Sequence, residues 1–354
     1  MSVRSAARNS VSSGPGWINK ATGFHPGPLG LRRFGPSEKV AAYALKRLLQ
    51  LIPVLLIVSL IVFFIVQLIP GDPVALMLGE EQRDPEVYQA LRQELGLDHP
   101  IHVRYIQWLA RVLQGDLGQS LRTRRPVFDI VLERYPPTVY LALAALVLGI
   151  SIAIPAGMMA AVKQNTAYDY SAMLFTLFGI SVPNFWFAML LILWLGIYLG
   201  WFPTIGYAAP GTDFLGFLSH LTLPALVLGT DIASTTTRYV RAEMLEQLRL
   251  DYVRTARAKG LPPRLVFYKH ALKNSLIAAI TVVGLQVGRL LGGSTVVETI
   301  FGWPGLARLV LDAVYARDYP VLQGAVLLLA VGYVFINLLV DLLYKWLNPR
   351  VRLG

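Results

Sequence analysis

The sequence predicts an all-α membrane protein with six transmembrane helices. Apolar residues make up 55% of the 354 residues and the mean hydropathy is +0.53, far above the values of an ordinary soluble domain. Charged residues make up only 15% and cluster between uncharged runs that are long enough to cross a bilayer as helices. The predicted spans are 48–69, 136–162, 172–199, 217–237, 275–297 and 321–343.

The N-terminal region differs in composition from the rest. Residues 1–40 combine Gly, Ser and Pro with scattered Arg, so we expect a disordered cytoplasmic tail, followed by a membrane domain over 41–354. Lys46 and Arg47 precede the first span and favour a cytoplasmic N-terminus. No small-residue cleavage site follows that span, which is therefore predicted to be a retained anchor.

A long polar region follows the first span. The motif Pro-Gly-Asp-Pro at 70–73 ends the predicted helix abruptly. Helical periodicity then predicts two short helices, at 85–95 and at 101–112. The region is close to neutral, which favours a small folded unit outside the membrane with a docking role.

The third and fourth spans are interrupted. The uncharged run around the third span is long enough for two, but Pro183-Asn184 leaves a first piece too short to cross, so we expect one kinked span. Asp231 interrupts the fourth span, and Arg238 and Arg241 begin a cytoplasmic basic segment.

Lysine positions test this topology. The eight lysines, all in segments predicted to be cytoplasmic, are at 20, 39, 46, 163, 259, 269, 273 and 345. An even number of spans with both termini in the cytoplasm follows. The net charge of +11 is then better explained by membrane topology than by nucleic-acid binding.

Several kinds of chemistry are missing from the sequence. It contains no phosphate-binding loop, no His-Glu-x-x-His motif and no cysteine, which excludes a self-contained ATPase of the usual kind, a zincin site and thiolate ligands. His99 and His102 have the spacing of two ligands, but no third ligand lies nearby, so no metal site is predicted.

Residues 249–275 form a basic segment between two apolar spans. A helix-forming stretch, 244–259, ends at Gly260. Pro262-Pro263 prevent simple continuation, so a second helix is predicted to begin near Arg264. Charge alone would fit equally well with a cytoplasmic loop that has no further role.

The order of residues in this segment resembles the cytoplasmic coupling loop of ABC-importer permeases. The family pattern is Glu-Ala-Ala, three variable residues, Gly, nine more, and then Ile-x-Leu-Pro. The matching positions are Ala256, Gly260 and Leu272. The departures, which resemble the variant of the dipeptide/oligopeptide/nickel branch, are Arg254, Thr255, His270 and Lys273. The resemblance covers about 43–352 and includes the Pro-Gly-Asp-Pro motif.

This resemblance implies a permease subunit that imports di- or oligopeptides across a bacterial plasma membrane, without ATPase activity of its own. The implied partners are a second homologous permease, two ATP-binding subunits that hold ATP and Mg, and an extracytoplasmic substrate-binding protein. Small Ala256 and Ala258 are expected to allow close approach of an ATP-binding subunit. The residues implied in ATPase coupling are Asp251, Tyr252, Arg254, Thr255, Ala256, Arg257, Lys259, Gly260, His270 and Leu272.

Charged and polar residues inside the spans are candidates for the translocation path. One hypothesis is that Asp231 and Arg289 pair across the pore or contact the termini of a zwitterionic substrate. Gln286 lies on the same predicted helix as Arg289. The competing interpretation is a purely structural pair, between adjacent helices or from Asp231 to Arg238. Glycines recurring every four residues from Gly284 predict close helix packing, within the chain or at a subunit interface.

Two sequence motifs lie between the fifth and sixth predicted spans. Glu298-Thr299-Ile300-Phe301-Gly302-Trp303-Pro304-Gly305 and Arg317-Asp318-Tyr319-Pro320 resemble external motifs of the family. Docking of a substrate-binding protein and membrane anchoring explain them equally well. The residues assigned to docking are Phe301, Trp303, Asp318 and Tyr319.

Other functions remain open. The same architecture is compatible with nickel, glutathione or a sugar as cargo. An ion-coupled secondary transporter would require intramembrane carboxylates and an internal repeat, and only Asp231 meets the first requirement. A membrane-embedded enzyme is disfavoured because the spans lack a convergent set of His, Asp, Glu or Ser.

Overall fold

A computed structural model describes residues 36–67, 85–94 and 98–347. Its contacts separate two units, Met1–Tyr43 and Ala44–Gly354. The Pro-Gly-Asp-Pro motif and most of the predicted tail lie outside the described residues.

The described chain is helical apart from its connections and one isolated bridge between Gln119 and Pro126. The helices are α1 Pro36–Gln67, α2 Pro85–Glu94, α3 Ile101–Leu113, α4 Val127–Val162, α5 Ala167–Ser181, α6 Asn184–Leu191, α7 Phe214–Arg249, α8 Asp251–Ala258, α9 Pro263–Leu265, α10 Lys273–Gly293, α11 Thr295–Ile300, α12 Leu306–Ala316 and α13 Tyr319–Leu347. The π-helical segment Ile192–Tyr198 continues α6, and a second one, Val266–Leu272, joins α9 to α10.

The helices α4, α7 and α13 are long and apolar enough to cross a membrane, as predicted for the second, fourth and sixth spans. Two bent pairs bring the number to five if each pair counts as one span. The apolar part of α1 begins at Leu48, and α1 is described up to Gln67, two residues before the predicted end of the first span. The two short helices predicted before the second span are confirmed as α2 and α3.

The kink predicted at Pro183-Asn184 is present, as a sharp break between two helices. Two helices, α5 and the continuation of α6, meet at an angle of 107° at Pro183. Val182 leaves the helical conformation with φ −83° and ψ 125°, because the proline that follows disfavours helical geometry there. Each arm is 15 residues long, about 22 Å, so neither crosses a 30 Å core alone.

The helix that contains the fourth predicted span is longer than that span. Helix α7 extends to Arg249 instead of ending at 237, so Arg241 lies within it. The predicted helix 244–259 is broken at Leu250, whose φ of −74° and ψ of 151° turn the chain into α8. Sequence periodicity missed this break because the residues on both sides of it are good helix formers.

Helices α4 and α7 form the most extensive helix pair of the fold. A Cβ atom at Gly149 would lie 2.7 Å from Ile232, and one at Gly157 would lie 2.8 Å from Val240, so the two backbones approach as closely as glycine allows. The predicted glycine stripe of α10 also packs within the chain, since Gly284 faces Val340 and Gly288 faces Tyr333 of α13.

Two separate hydrophobic cores lie at the two ends of α4. Val127 and Val131, at its start, pack with residues of α12 and α13. Met158 and Ala161, at its end, pack with α7 and with the segment that leads into α10. Because α4 has 36 residues, about 54 Å at 1.5 Å per residue, these cores belong to opposite ends of the bundle.

Candidate functional site

Helix α8, in the candidate coupling segment (residues 249–275), packs by one face only. Val253 and Ala256 of α8 are buried against Val266, three residues apart as one helical face requires. The remaining side chains of α8 are exposed. Ala256 therefore packs against its own chain, and the expectation that it allows close approach of a partner is wrong.

The exposed face of α8 carries the other predicted coupling residues. Arg254 lies 3.3 Å from Asp251 in an exposed pair, which stabilises the helix little. The Thr255 hydroxyl donates to the Asp251 carbonyl at 2.9 Å, within the helix. Arg257 and Lys259 are exposed and make no ion pair among the described residues. A basic surface is thus presented to the solvent at this end of the bundle.

Gly260 ends α8 in the left-handed region, with φ +75°. Its N–H donates to the Arg257 carbonyl at 2.9 Å, and the Leu261 N–H donates to the Ala256 carbonyl at 3.3 Å. These bonds form the helix-terminating turn that a glycine favours. The predicted turn at Gly260 and the second helix near Arg264 are confirmed.

Tyr252 ties the coupling segment to the helices on both sides. Its hydroxyl donates to Gln247 Oε1 of α7 at 2.7 Å and accepts from Asn274 Nδ2 of α10 at 3.2 Å. His270, half-buried, contributes its carbonyl, which accepts from Asn274 Nδ2 at 3.1 Å. Leu272 is half-buried against the core at the end of α4. The segment is therefore joined to both α7 and α10.

An ion pair that the sequence did not reveal braces this end of α7. Arg241 donates through Nε to Asp169 Oδ1 at 2.5 Å and through Nη2 to Asp169 Oδ2 at 2.7 Å. The Asn165 N–H also donates to Asp169, whose side chain is 3% exposed. Arg241, predicted to begin the cytoplasmic basic segment with Arg238, is therefore paired within the chain with a residue 72 positions away in sequence.

The candidate path residues lie on two packed helices, α7 and α10. Asp231 is half-buried and engages a neighbour by an electrostatic or hydrogen-bonding interaction. Gln286 is buried, and its Nε2 has no hydrogen-bond partner among the described residues. The side chain of Arg289 lies outside the described part of the chain. A pair between Asp231 and Arg289 therefore stays a prediction.

The four predicted docking residues are buried within the chain. Trp303 is fully buried, donates through Nε1 to the Pro137 carbonyl at 2.9 Å, and packs edge-on against Tyr207. Phe301 belongs to the same core. Neither a docking partner nor the lipid interface reaches these two side chains.

Asp318 and Tyr319 are likewise buried. Asp318 Oδ2 accepts from the Ser120 hydroxyl at 2.5 Å, and Oδ1 accepts from the Leu121 N–H at 3.2 Å. Asp318 thus fixes the loop before α4 to the start of α13. Direct contact of these residues with a partner is excluded by their burial.

Glu298, which sequence analysis did not assign to a role, holds the corner between α11 and α12. It is fully buried, accepts from the Ser294 hydroxyl at 2.9 Å and accepts from the Arg308 N–H at 2.8 Å. The Leu306 N–H donates to Thr138 Oγ1 at 2.7 Å, so the first turn of α12 is capped by two side chains. Burial raises the pKa of the Glu298 carboxyl above 4.5, although its hydrogen bonds act in the opposite direction.

The described residues contain no group of three or more His, Asp or Glu side chains that would hold a metal ion. Helix α8 has an apolar inner face and a charged outer face.

Comparison with known proteins identifies the family. The family described as binding-protein-dependent transport system inner membrane component matches residues 153–353, and its N-terminal counterpart matches residues 40–142. The chain belongs to this family. It is the permease of an ABC importer, as the resemblance in sequence predicted.

Curated relatives support the same assignment. The permease is 44% identical over 310 residues to the glutathione transport system permease protein GsiC of Salmonella paratyphi A, covering 88% of this chain and 98% of the relative. The protein of the same name from Escherichia coli strain K12 gives the same identity and coverage. A solved amino acid ABC transporter matches 63% of this permease and 94% of that chain, with 15% identity and a TM-score of 0.45.

Proposed function

We propose that this permease imports short peptides, working with a second permease, two ATP-binding subunits and an extracytoplasmic binding protein. ATP and Mg would be bound by the ATP-binding subunits, since the sequence has no phosphate-binding loop. The family assignment and the two-faced coupling segment support this division of labour.

The observation that carries the mechanism is the way α8 is attached. Its exposed basic face is available to an ATP-binding subunit, whereas its buried face and Tyr252 join it to α7 and α10. When the ATP-binding subunits close, α8 would move as a rigid body and carry α7 with it. Because α7 packs on α4 at glycine contacts and is paired with α5 through Asp169, these helices would shift together.

The topology belongs to the same proposal. Six spans place the coupling segment and both termini in the cytoplasm of a bacterium, with the corner around Glu298 on the outer side. The lysine distribution supports this orientation. Asp231, Gln286 and Arg289 would then lie along α7 and α10 at the translocation path.

Glutathione is a specific candidate within the peptide class. It is a tripeptide, and the relatives reported above are named as glutathione transport permeases. A peptide and glutathione both present backbone amides and terminal charges, which polar and charged side chains on α7 and α10 suit. Nickel is a weaker candidate, given the lack of a ligand cluster in the described residues.

Uptake by the reconstituted complex tests the proposal. Proteoliposomes holding the permease with its partner subunits would be supplied with binding protein, ATP inside, and labelled glutathione or labelled di- to hexapeptides. We expect ATP-dependent uptake that the double charge reversal Arg254→Glu/Arg257→Glu abolishes, while the matched Arg254→Lys/Arg257→Lys variant retains it. Since these side chains are exposed, the fold of the permease should survive both changes.

Each alternative predicts a different result. Uptake that follows an imposed ion gradient without ATP would overturn the ABC mechanism in favour of a secondary transporter. ATP-driven uptake of another solute, with no peptide or glutathione transport, would keep the coupling mechanism and reject the cargo.

A further inference from the structure

An arginine-rich surface lies at the end of α4 opposite the coupling segment. The loop before α4 and the turn between α12 and α13 meet there at Asp318, around a cleft of about 260 Å³. We define the outer arginine surface as Arg122, Arg124 and Arg317. Arg122 lines the cleft, and the other two directly adjoin residues that line it.

These three arginines are exposed and make no ion pair among the described residues. The carboxylates that line the cleft are already engaged within the chain. Glu133 pairs with Arg125, Asp312 lies 3.8 Å from Arg308, and Asp318 accepts from Ser120. The surface therefore presents positive charge that its own carboxylates do not neutralise.

The backbone that carries these arginines is held in place. Ser120, which is 1% exposed, accepts from the Thr123 N–H through its Oγ at 3.0 Å and from the Arg124 N–H through its carbonyl at 3.0 Å. Arg124 and Arg317 occupy the left-handed region, with φ of 58° and 53°. Such conformations are unfavourable for non-glycine residues and are found preferentially at functional sites. Glycine at these two positions would relieve the strain but would remove the charge.

We propose that the outer arginine surface is the docking surface for an acidic face of the extracytoplasmic binding protein. The inference rests on the proposed function. The outer arginine surface replaces the buried signature residues as the place of contact. Exposed charges on a preorganised backbone set the rate and orientation of protein association at little entropic cost. An anionic lipid headgroup is the competing occupant, and a titration in zwitterionic and in anionic nanodiscs distinguishes it from the binding protein.

Binding is measured separately from transport. The permease complex in nanodiscs of zwitterionic lipid would be titrated with the fluorescently labelled binding protein at low and at physiological salt. We expect Arg122→Glu/Arg317→Gly to weaken binding about tenfold, equivalent to about 1.4 kcal/mol, and to flatten the salt dependence. Because Arg317→Gly removes charge without adding strain, the melting temperature should not fall when binding is weakened.

Matched variants separate docking from other roles. Arg317→Lys keeps the charge and should bind like wild type. Arg111→Glu, which reverses an exposed charge on α3 that does not line the cleft, should have little effect. Uptake at saturating binding protein should reach the wild-type rate in Arg122→Glu/Arg317→Gly.

Three results would overturn the docking surface. They are unchanged affinity in the double variant, an equal loss in Arg111→Glu, and a loss that appears only when anionic lipid is added, which would assign the arginines to lipid. Failure of wild-type uptake would instead refute the proposed function, and the binding titration would still decide the docking surface.

Discussion

Replacing Glu298 tests what holds the corner between α11 and α12. The side chain is fully buried, and its two oxygens accept from the Ser294 hydroxyl at 2.9 Å and the Arg308 N–H at 2.8 Å. Glu298→Ala leaves these buried donors without a partner, at about 1–3 kcal/mol each, and opens a cavity. We expect the free energy of unfolding to fall by about 3 kcal/mol.

Glu298→Gln is the matched control. It has the same size, its oxygen accepts from the Arg308 N–H, and its amide donates to Ser294 Oγ, which is able to accept. The charge is the only feature lost. Because burial disfavours that charge, we expect the Gln variant to lose at most about 1 kcal/mol.

The pH dependence follows from the raised pKa of Glu298. Between 4.5 and the folded-state pKa, the folded protein binds more protons than the unfolded chain. The contribution of this group to stability is therefore present below 4.5 and is lost as pH rises through the folded-state pKa. The Gln variant lacks this titration, so its stability relative to wild type should improve as pH rises through the same window.

Tryptophan fluorescence in detergent micelles measures both effects, since Trp303 is buried beside this corner. Melting temperatures of wild type and the two variants would be compared between about pH 4 and about pH 8. The reasoning is refuted if Gln is as damaging as Ala at every pH, because the negative charge would then hold the corner. A pH-independent difference between wild type and Gln would refute the raised pKa.

Three further variants probe the bundle and the coupling segment. Asp169→Asn leaves Arg241, whose side chain is 22% exposed, without its charged partner and should destabilise by about 1–3 kcal/mol; an unchanged melting temperature would contradict a structural ion pair. Gly157→Ala places a Cβ 2.8 Å from Val240 and should cost about 1–3 kcal/mol by the same melting assay. A neutral result there would mean that α4 and α7 separate easily. In Gly260→Ala the new Cβ contacts no other atom, so the free energy of unfolding should fall only by the backbone strain of a non-glycine residue at φ +75°, about 1 kcal/mol. Proteolytic cleavage at the turn should change little.

The sequence predicted those features that depend on neighbouring residues. Apolar runs predicted the positions of α4, α7 and α13, and Gly260 with the prolines after it predicted the turn of the coupling segment. Both signals act within a few positions along the chain, where hydropathy and backbone preference are decisive. The family motif, read over the same segment, predicted the ABC permease that the comparisons confirm.

Tertiary structure decided which polar residues face inward. Asp318 and Trp303 read as external signature residues, yet both are buried and bonded to partners more than 160 positions away in sequence. Glu298 is buried too, although its partners lie within ten positions. The Asp169–Arg241 pair joins residues 72 positions apart, and no local pattern signals it. Burial and hydrogen bonding depend on how helices meet, which hydropathy along one chain does not encode. Sequence alone thus determined that this protein is a helical membrane permease, and packing determined which of its charges remain exposed.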